Sequence, residues 1–239
     1  MKILALLLFL LLLCTGGAVA QKRTITLKWA PTGLVAGNIA LQGEYRFAER
    51  RSLTAKIGVP LSTRHMLEYE GKDADFDMRA FSFLAGYRMY FSRKNLQGFY
   101  LEPFFKYVHH SSEGLGAGEL ALRDVAFQFT NDYNGLGVGA QLGVQFLVRK
   151  RLAIDLFFLG PEINSARNNF RAVEVSSALP WNDIEAAEAR RDIHAFLDQF
   201  PFLGNRTDMM VDKTNRMVAA DFKGLLPGWR AGVSFGVAF

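Results

Sequence analysis

One stretch of the sequence places a nucleophile, a base and a carboxylate side by side: His109-His110-Ser111-Ser112-Glu113. His110 and Ser112 are two residues apart, so on an extended strand both lie on one face, where an imidazole can accept the proton of a hydroxyl. Glu113 or Glu119 could then orient the imidazole as the third member of a triad. Hydrolysis is therefore one hypothesis. The alternative is that these are ordinary polar residues where a strand meets a loop.

A second chemical candidate is acidic. Asp73, Asp75 and Asp77 recur at a spacing of two, and carboxylate oxygens are the ligands that calcium and magnesium prefer. On a strand they would stack on one face and could share divalent cations with lipid phosphates. The segment lacks the glycine and terminal glutamate of an EF-hand loop, so a solvated acidic loop is the preferred interpretation. No metal site and no cofactor are predicted.

Eight further charged residues alternate with apolar neighbours, which places them on the polar face of their segments. They are Glu44, Arg46, Lys56, Arg88, Glu102, Lys106, Asp155 and Arg230.

The elements that must position these residues are strands. Three short basic connections, at 48–51, 92–95 and 148–151, each separate two segments in which apolar and polar residues alternate. Together with one strand before Pro31 and one at the C-terminus, they predict eight antiparallel strands. Short turns at one end and long loops at the other are typical of a membrane barrel. Ten strands would result if 121–130 and part of 161–228 also crossed.

The last eleven residues, 229–239, alternate between an apolar row and small or polar residues. A soluble sheet rarely leaves an apolar edge strand unprotected, whereas a strand that closes a barrel in lipid has no free edge. A terminal phenylalanine after such alternation resembles the assembly signal of bacterial outer-membrane barrels, which implies the barrel assembly machinery as a partner. The residues that would carry this signal are Trp229, Val233, Phe235, Val237 and Phe239.

The N-terminus predicts export. Lys2 precedes an apolar run over 3–13, and Ala18-Val19-Ala20 forms a cleavage site, so residues 1–20 are expected to be a secretory signal peptide and 21–239 the mature barrel. The run is too short to span a bilayer. Cys14, the only cysteine, would leave with the peptide. Basic residues are scattered along the chain, which disfavours nucleic acid as a partner.

Residues 22–160 and 229–239 resemble the small eight-stranded outer-membrane barrels of the OmpA/OmpX type. The segments 26–33 and 43–47 also resemble envelope barrels of Bacteroidota. The resemblance implies an all-β transmembrane barrel in the bacterial outer membrane, in contact with membrane lipid and lipopolysaccharide. It brings no catalytic motif.

The spacing of His110 and Ser112 matches the His-x-Ser pair of outer-membrane lipid A deacylases. However, Glu113 stands where that family has asparagine. Both residues would also face the barrel interior, away from a lipid substrate.

The segment 161–228 is long for a connection between two strands, and loops of this length are usually functional or disordered. Apolar residues recur at helical spacing over 183–200, and a second helix is expected over 208–222. We expect this partly helical insertion to cap the barrel mouth, or alternatively to project outward and bind a partner.

An eight-stranded barrel has an interior that side chains just fill, so the eight inward charges predict a salt-bridged plug. The favoured function is a non-enzymatic envelope barrel with a structural or surface-binding role. The alternatives are a lipid A-modifying hydrolase and a narrow, porin-like pore that prefers anions.

Overall fold

The computed structural model describes residues 24–69, 72–93, 96–198 and 206–239, and nearly all of them are in strands. The predicted signal peptide lies outside the described residues. The strands are β1 (Ile25–Ala30), β2 (Asn38–Ala48), β3 (Arg51–Pro60), β4 (Thr63–Tyr69), β5 (Lys72–Tyr90), β6 (Gly98–Leu120), β7 (Arg123–Val148), β8 (Leu152–Glu174), β9 (Thr207–Asp212) and β10 (Met217–Ala238). The helices are α1 (Thr32–Val35) and α2 (Asp183–Asp198). No helix in these ranges is long and apolar enough to cross a membrane.

Eight of the strands close into an antiparallel ring in the order β1-β2-β3-β5-β6-β7-β8-β10, with β10 paired back onto β1. At this seam Thr26 lies opposite Ala238 and Trp29 opposite Phe235. The Phe239 amide donates to the Ile25 carbonyl at 2.9 Å. The prediction of an all-β, eight-stranded antiparallel barrel is confirmed. The ten-strand alternative is wrong because 123–130 belongs to the same strand, β7, that continues to Val148.

The barrel is apolar outside and polar inside, the reverse of a soluble protein. Inward side chains such as Thr26, Gln145 and Ser234 are buried. The exposed large apolar side chains form a belt around the outside, which we call the apolar band. Its members include Leu27, Leu41, Leu53, Ile57, Phe83, Phe99, Phe105, Leu136, Val138, Phe146, Leu156, Ile163, Leu225, Trp229 and Phe235. A surface of this kind is stable only if something apolar covers it.

Five strands, β5 to β8 and β10, are 19 to 26 residues long, whereas β1 to β3 have 6 to 11. Crossing lipid takes about 9–11 residues, so the long strands rise beyond the apolar band at the end opposite the short turns, which we call the loop end. There the outward rows become polar, with His109, Asn134, Arg167 and Lys223. Strands β4 and β9 widen this extension as partners of β5 and β10.

The connection before the last strand differs from the expected insertion over 161–228. Residues 161–174 and 217–228 continue β8 and β10, paired from Pro161–Trp229 to Val173–Met217. The helix expected over 208–222 is a β9–β10 hairpin, so that prediction was wrong. The apolar residues of this segment are compatible with a strand as well as a helix. Backbone hydrogen bonding of 217–222 to the neighbouring strand β8 favours the strand.

Helix α2 lies where the helical spacing places it. Asn182 caps its first turn, since its Oδ1 accepts the amides of Ile184 and Glu185, both at 2.9 Å. The Glu185 side chain accepts the Asn182 amide in return at 2.8 Å, which completes a capping box.

Candidate functional site

The interior of the barrel near its turn end is filled by five charged side chains from β1, β2, β5, β6 and β8, which we call the charge cluster. Each has a side-chain exposure of 0 or 1%. Its members are Lys28, Glu44, Arg88, Glu102 and Asp155. Glu44, Arg88, Glu102 and Asp155 are four of the eight residues that the sequence predicted to share the lumen.

Arg88 is the centre of this cluster. Its Nε donates to Glu102 Oε2 at 2.7 Å, and its Nη2 lies 2.6 Å from the same oxygen. Its Nη1 donates to Asp155 Oδ2 at 2.9 Å and reaches Glu44 Oε2 at 3.4 Å. The Tyr100 ring lies 3.7 Å below the guanidinium. A planar, permanently charged group with several donors is the side chain that can hold three carboxylates at once.

Lys28 is the second cation of the cluster, and it is not among the eight lumen residues predicted from the sequence. Its Nζ donates to Glu44 at 2.8 Å, to Asp155 at 2.7 Å and to Gln145 Oε1 at 2.5 Å. The signal was available in the pattern, because Lys28 shares the inward parity of Thr26 and pairs across the sheet with Gln42. The strand before Pro31 was predicted, but no face was assigned to its residues.

Neutral groups complete the hydrogen bonding of the three carboxylates. Ser52 and Tyr90 donate to Glu44 at 2.6 and 2.7 Å, and Tyr100 donates to Asp155 at 2.6 Å. Thr54 and Gln141 donate to Glu102 at 2.5 and 3.0 Å. Buried charges are tolerated when their remaining hydrogen-bonding positions are satisfied. With buried Ser234 on β10, all eight strands of the ring contribute a buried polar side chain to this cross-section.

The other four predicted lumen residues lie elsewhere. Arg46 is buried near the seam. Lys106 pairs with Glu162 at 2.5 Å, on the loop side of the cluster. Arg230 lies over the rings of Phe104 and Phe157, at 4.7 and 5.1 Å from their centroids. Lys56 lies 5.7 Å from the Phe157 centroid.

Above the charge cluster the barrel encloses a cavity of about 510 Å³, which we call the upper cavity. Lys56, Lys106 and Arg230 line it with a single carboxylate, Glu162, so the lining is cationic. Phe157 lies in its wall. The charges predicted for one network are thus divided between two layers, because their strands place them at different heights.

The structure does not assemble the hydrolytic triad. His110 and Ser112 both lie on inward rows of β6, opposite Ala80 and Met78, and no hydrogen bond joins them in the described part of the chain. Glu113 is exposed on the outward face of the same strand. Burial, helped by the neighbouring His109, lowers the pKa of His110 below its usual value, and its buried Nε2 has no hydrogen-bond partner among the described residues. Adjacent residues of a strand face opposite sides, so Glu113 cannot orient His110.

The acidic triplet lies on β5. Asp77 accepts from Ser62 at 2.6 Å and from Arg79 at 3.2 Å. The side chain of Asp73 lies outside the described residues. In the ranges that are described, no group of three or more potential ligands could hold a metal ion. For the predicted assembly signal, Trp229 and Phe235 are exposed on the apolar band and Phe239 closes the seam; the signalling role itself stays a prediction.

A second buried polar centre, at the loop end, fixes helix α2 to the barrel. Glu174 has no side-chain exposure and accepts Arg123 Nη1 at 2.8 Å and Trp181 Nε1 at 2.5 Å. Burial by itself would raise the pKa of Glu174, but the hydrogen bonds from Arg123, Trp181 and Ser176 outweigh it, so this pKa lies below its usual value.

Trp181 also packs in an apolar cluster with residues from several elements. The buried members are Leu120, Val125, Trp181, Ala189 and Val218. Leu120, Val125 and Val218 share the inward parity of their strands, so the segment around α2 packs against inward-facing side chains at the loop end.

Comparisons with known proteins give little further information. No protein-family model matches the chain, and no curated protein matches it. Among solved structures, the crystal structure of CarO from Acinetobacter baumannii is similar with a TM-score of 0.46 and 9% sequence identity, over 93% of this chain and 100% of that one. A similarity at this level does not transfer a function.

Proposed function

We propose that this chain is a non-enzymatic β-barrel of the bacterial outer membrane, sealed inside, with an envelope structural or surface-binding role. The observation that carries the proposal is the combination of a closed ring, an apolar outer band and a buried charge cluster that crosses the interior. Pairing between neighbouring strands satisfies backbone groups without water, which is the condition for a strand to cross lipid, and the strands of this ring are paired in this way around its circumference, the upper β1-side edge of β10 excepted. The export signal predicted over 1–20 and the seam contact of Phe239 fit the same location.

The charge cluster supports a sealed barrel over the anion-preferring pore. A pore needs an open, hydrated path, whereas Arg88, Glu102 and Asp155 meet in the middle of the barrel with no exposure to solvent. The carboxylates of Glu44, Glu102 and Asp155 already accept hydrogen bonds from Arg88, Lys28 and neutral neighbours, so an ion would have to break these bonds to pass. The position of Glu113 likewise gives the hydrolase alternative no support.

The loop end supports a surface-binding role. Arg167 and Lys223 are exposed on outward rows directly beyond the apolar band, at the height where phosphates of an outer leaflet would lie. Cations at this height attract anionic lipid. Lipopolysaccharide is therefore the lipid we propose for this surface, with the barrel assembly machinery as the partner that inserts the chain.

Two measurements test the proposal. The purified wild-type protein is reconstituted in planar bilayers, where a sealed barrel gives no channel openings; steady, anion-selective conductance would establish the pore alternative instead. Separately, cells that express the full chain are fractionated, and the heat-modifiable barrel is expected with the outer membrane. Recovery of the folded protein in a soluble fraction would contradict the membrane location.

A further inference from the structure

The upper cavity is lined by two cations that have no carboxylate in direct contact among the described residues. Lys56 and Arg230 form no ion pair and no side-chain hydrogen bond within the described part of the chain, although both face the cavity. Lys106 differs, because Glu162 neutralises it at 2.5 Å. The two free cations lie at the level of the apolar band, where an unpaired charge is costly. The aromatic rings of Phe104 and Phe157 compensate Arg230 only in part.

The wall of the cavity is incomplete on one side. Strand β1 pairs with β10 only as far as Trp29, opposite Phe235, and β9 pairs with β10 only between Met217 and Phe222. In the described ranges, no strand therefore covers the β1-side edge of β10 between 224 and 234. The short helix α1 lies at this gap, and its residues Thr32 and Gly33 line the cavity.

The gap connects the cavity with the apolar band. Trp229 and Ala231 are exposed on the outward row of β10, and yet both also line the cavity. Trp229 is 59% exposed, so an apolar chain that leaves the cavity here would meet an aromatic surface at the level of lipid.

From these observations we infer that the upper cavity binds a single-chain amphiphile with an acidic head. The head lies between Lys56 and Arg230, and the chain leaves sideways beside Trp229 and Ala231. A volume of about 510 Å³ is within the usual size of a small-ligand site, about 300–1,000 Å³. The charge cluster closes the bottom of the cavity, so it is a binding site and not a passage. The sideways exit rests on the membrane location proposed above; binding of the head does not.

The test uses the full mature chain in a neutral detergent, with equilibrium binding of labelled laurate and dodecyl phosphate. Dodecanol, which has the same chain without charge, and butyrate, which has the head without the chain, are the comparison ligands. We expect saturable binding of one or both acidic amphiphiles at one site per chain, with dodecanol and butyrate much weaker. The preference between laurate and dodecyl phosphate then shows whether a fatty acid or a phosphate-headed lipid is the source. Equal binding of dodecanol, or equal binding of butyrate, would overturn the inference.

Two pairs of variants locate the site. The double variant Lys56→Gln/Arg230→Gln should weaken laurate binding by at least about tenfold, the loss expected for a charge-assisted contact. Its matched control, Lys150→Gln/Arg151→Gln, removes the same charge from the exposed turn end and should bind as the wild type does. Ala231→Phe, which narrows the gap, should weaken laurate binding, whereas Ala55→Phe, outward on β3, should not.

Heat-modifiable mobility on gels verifies that each variant is folded. Unchanged laurate binding in the folded Lys56→Gln/Arg230→Gln variant would overturn the inference, as would equal effects of Ala231→Phe and Ala55→Phe. Either result would leave the conductance and fractionation tests of the proposed function unaffected.

Discussion

Arg88 and Glu102 form a salt bridge in which Nη2 lies 2.6 Å from Oε2 with both side chains fully buried. The pair joins neighbouring strands β5 and β6, and through Arg88 it extends to Asp155 on β8, across the interior. A single guanidinium therefore cross-links strands that are far apart around the ring. The consequences for stability, and for the loop end, can be tested separately.

Replacement of Arg88 by Met should destabilise the barrel severely. Among the described residues, the change leaves buried Glu102 without an ion pair and leaves Glu44 and Asp155 with Lys28 alone. Breaking a buried pair costs about 3–5 kcal/mol. Unfolding in urea, followed by gel mobility, measures the effect. Arg79→Gln is the matched control, because Arg79 forms its ion pair with Asp77 at the surface, where the two side chains are 63% and 39% exposed. An exposed pair of this kind stabilises the fold by about 1 kcal/mol or less. Similar midpoints for the two variants would show that the charge cluster does not stabilise the fold.

Replacement of Trp181 by Ala should release α2 from the barrel mouth. The Trp181 side chain is 3% exposed, and its removal eliminates both its packing in the apolar cluster and its hydrogen bond to Glu174. Truncation of a buried tryptophan costs about 3–5 kcal/mol. Limited proteolysis should then cut between 175 and 216, while the membrane part of the barrel stays resistant. Ile184→Ala, on the same helix but 72% exposed, should leave the cleavage pattern of the wild type. Equal protection of all three proteins would contradict the capping role.

The attachment of α2 should also weaken in acid. Because the pKa of Glu174 is lower in the folded protein than its ordinary value of 4.5, its contribution is complete above that pH and is lost as the pH falls toward the folded value. Fluorescence of Trp181, in a background with Trp29→Phe and Trp229→Phe, should shift to the red below about pH 4.5. Glu174→Gln removes the titrating group, so its spectrum should vary much less over this range. An identical acid transition in the Gln variant would assign the effect to another group.

Gly236 should not tolerate a side chain. A Cβ at this position would overlap the Leu27 carbonyl oxygen and lie 2.6 Å from Lys28 Cα, both backbone atoms of the neighbouring strand at the seam. Gly236→Ala must therefore displace β1 from β10, and overpacking of this kind costs about 1–3 kcal/mol. The fraction of heat-modifiable barrel in membranes should fall. Gly43→Ala is the control, since its nearest neighbour would be Leu27 Cδ2 at 3.9 Å. A seam that accepts both alanines would argue against this tight contact.

Alternation of residue types determined the fold from the sequence alone. Because successive side chains of a strand face opposite sides, the parity of Glu44, Arg88, Glu102 and Asp155 was sufficient to predict that they point inward. The short turns near 50, 93 and 150 then fixed the number of strands. The β6–β7 turn was harder to recognise: Ala121 and Leu122 both have positive φ, at 50° and 63°, without the glycine or asparagine that usually marks such a turn.

Only the tertiary structure decided which of these inward residues meet. Parity gives the face of a strand but not the height at which a residue lies after the strands are paired in register. That height separates Lys56 and Arg230 from the charge cluster and brings Lys28 into it. The pairing of the strands also places the end of β1 below the top of β10, which creates the gap beside Trp229. The sequence could not predict this gap, because the residues of one strand carry no information on where its neighbour ends.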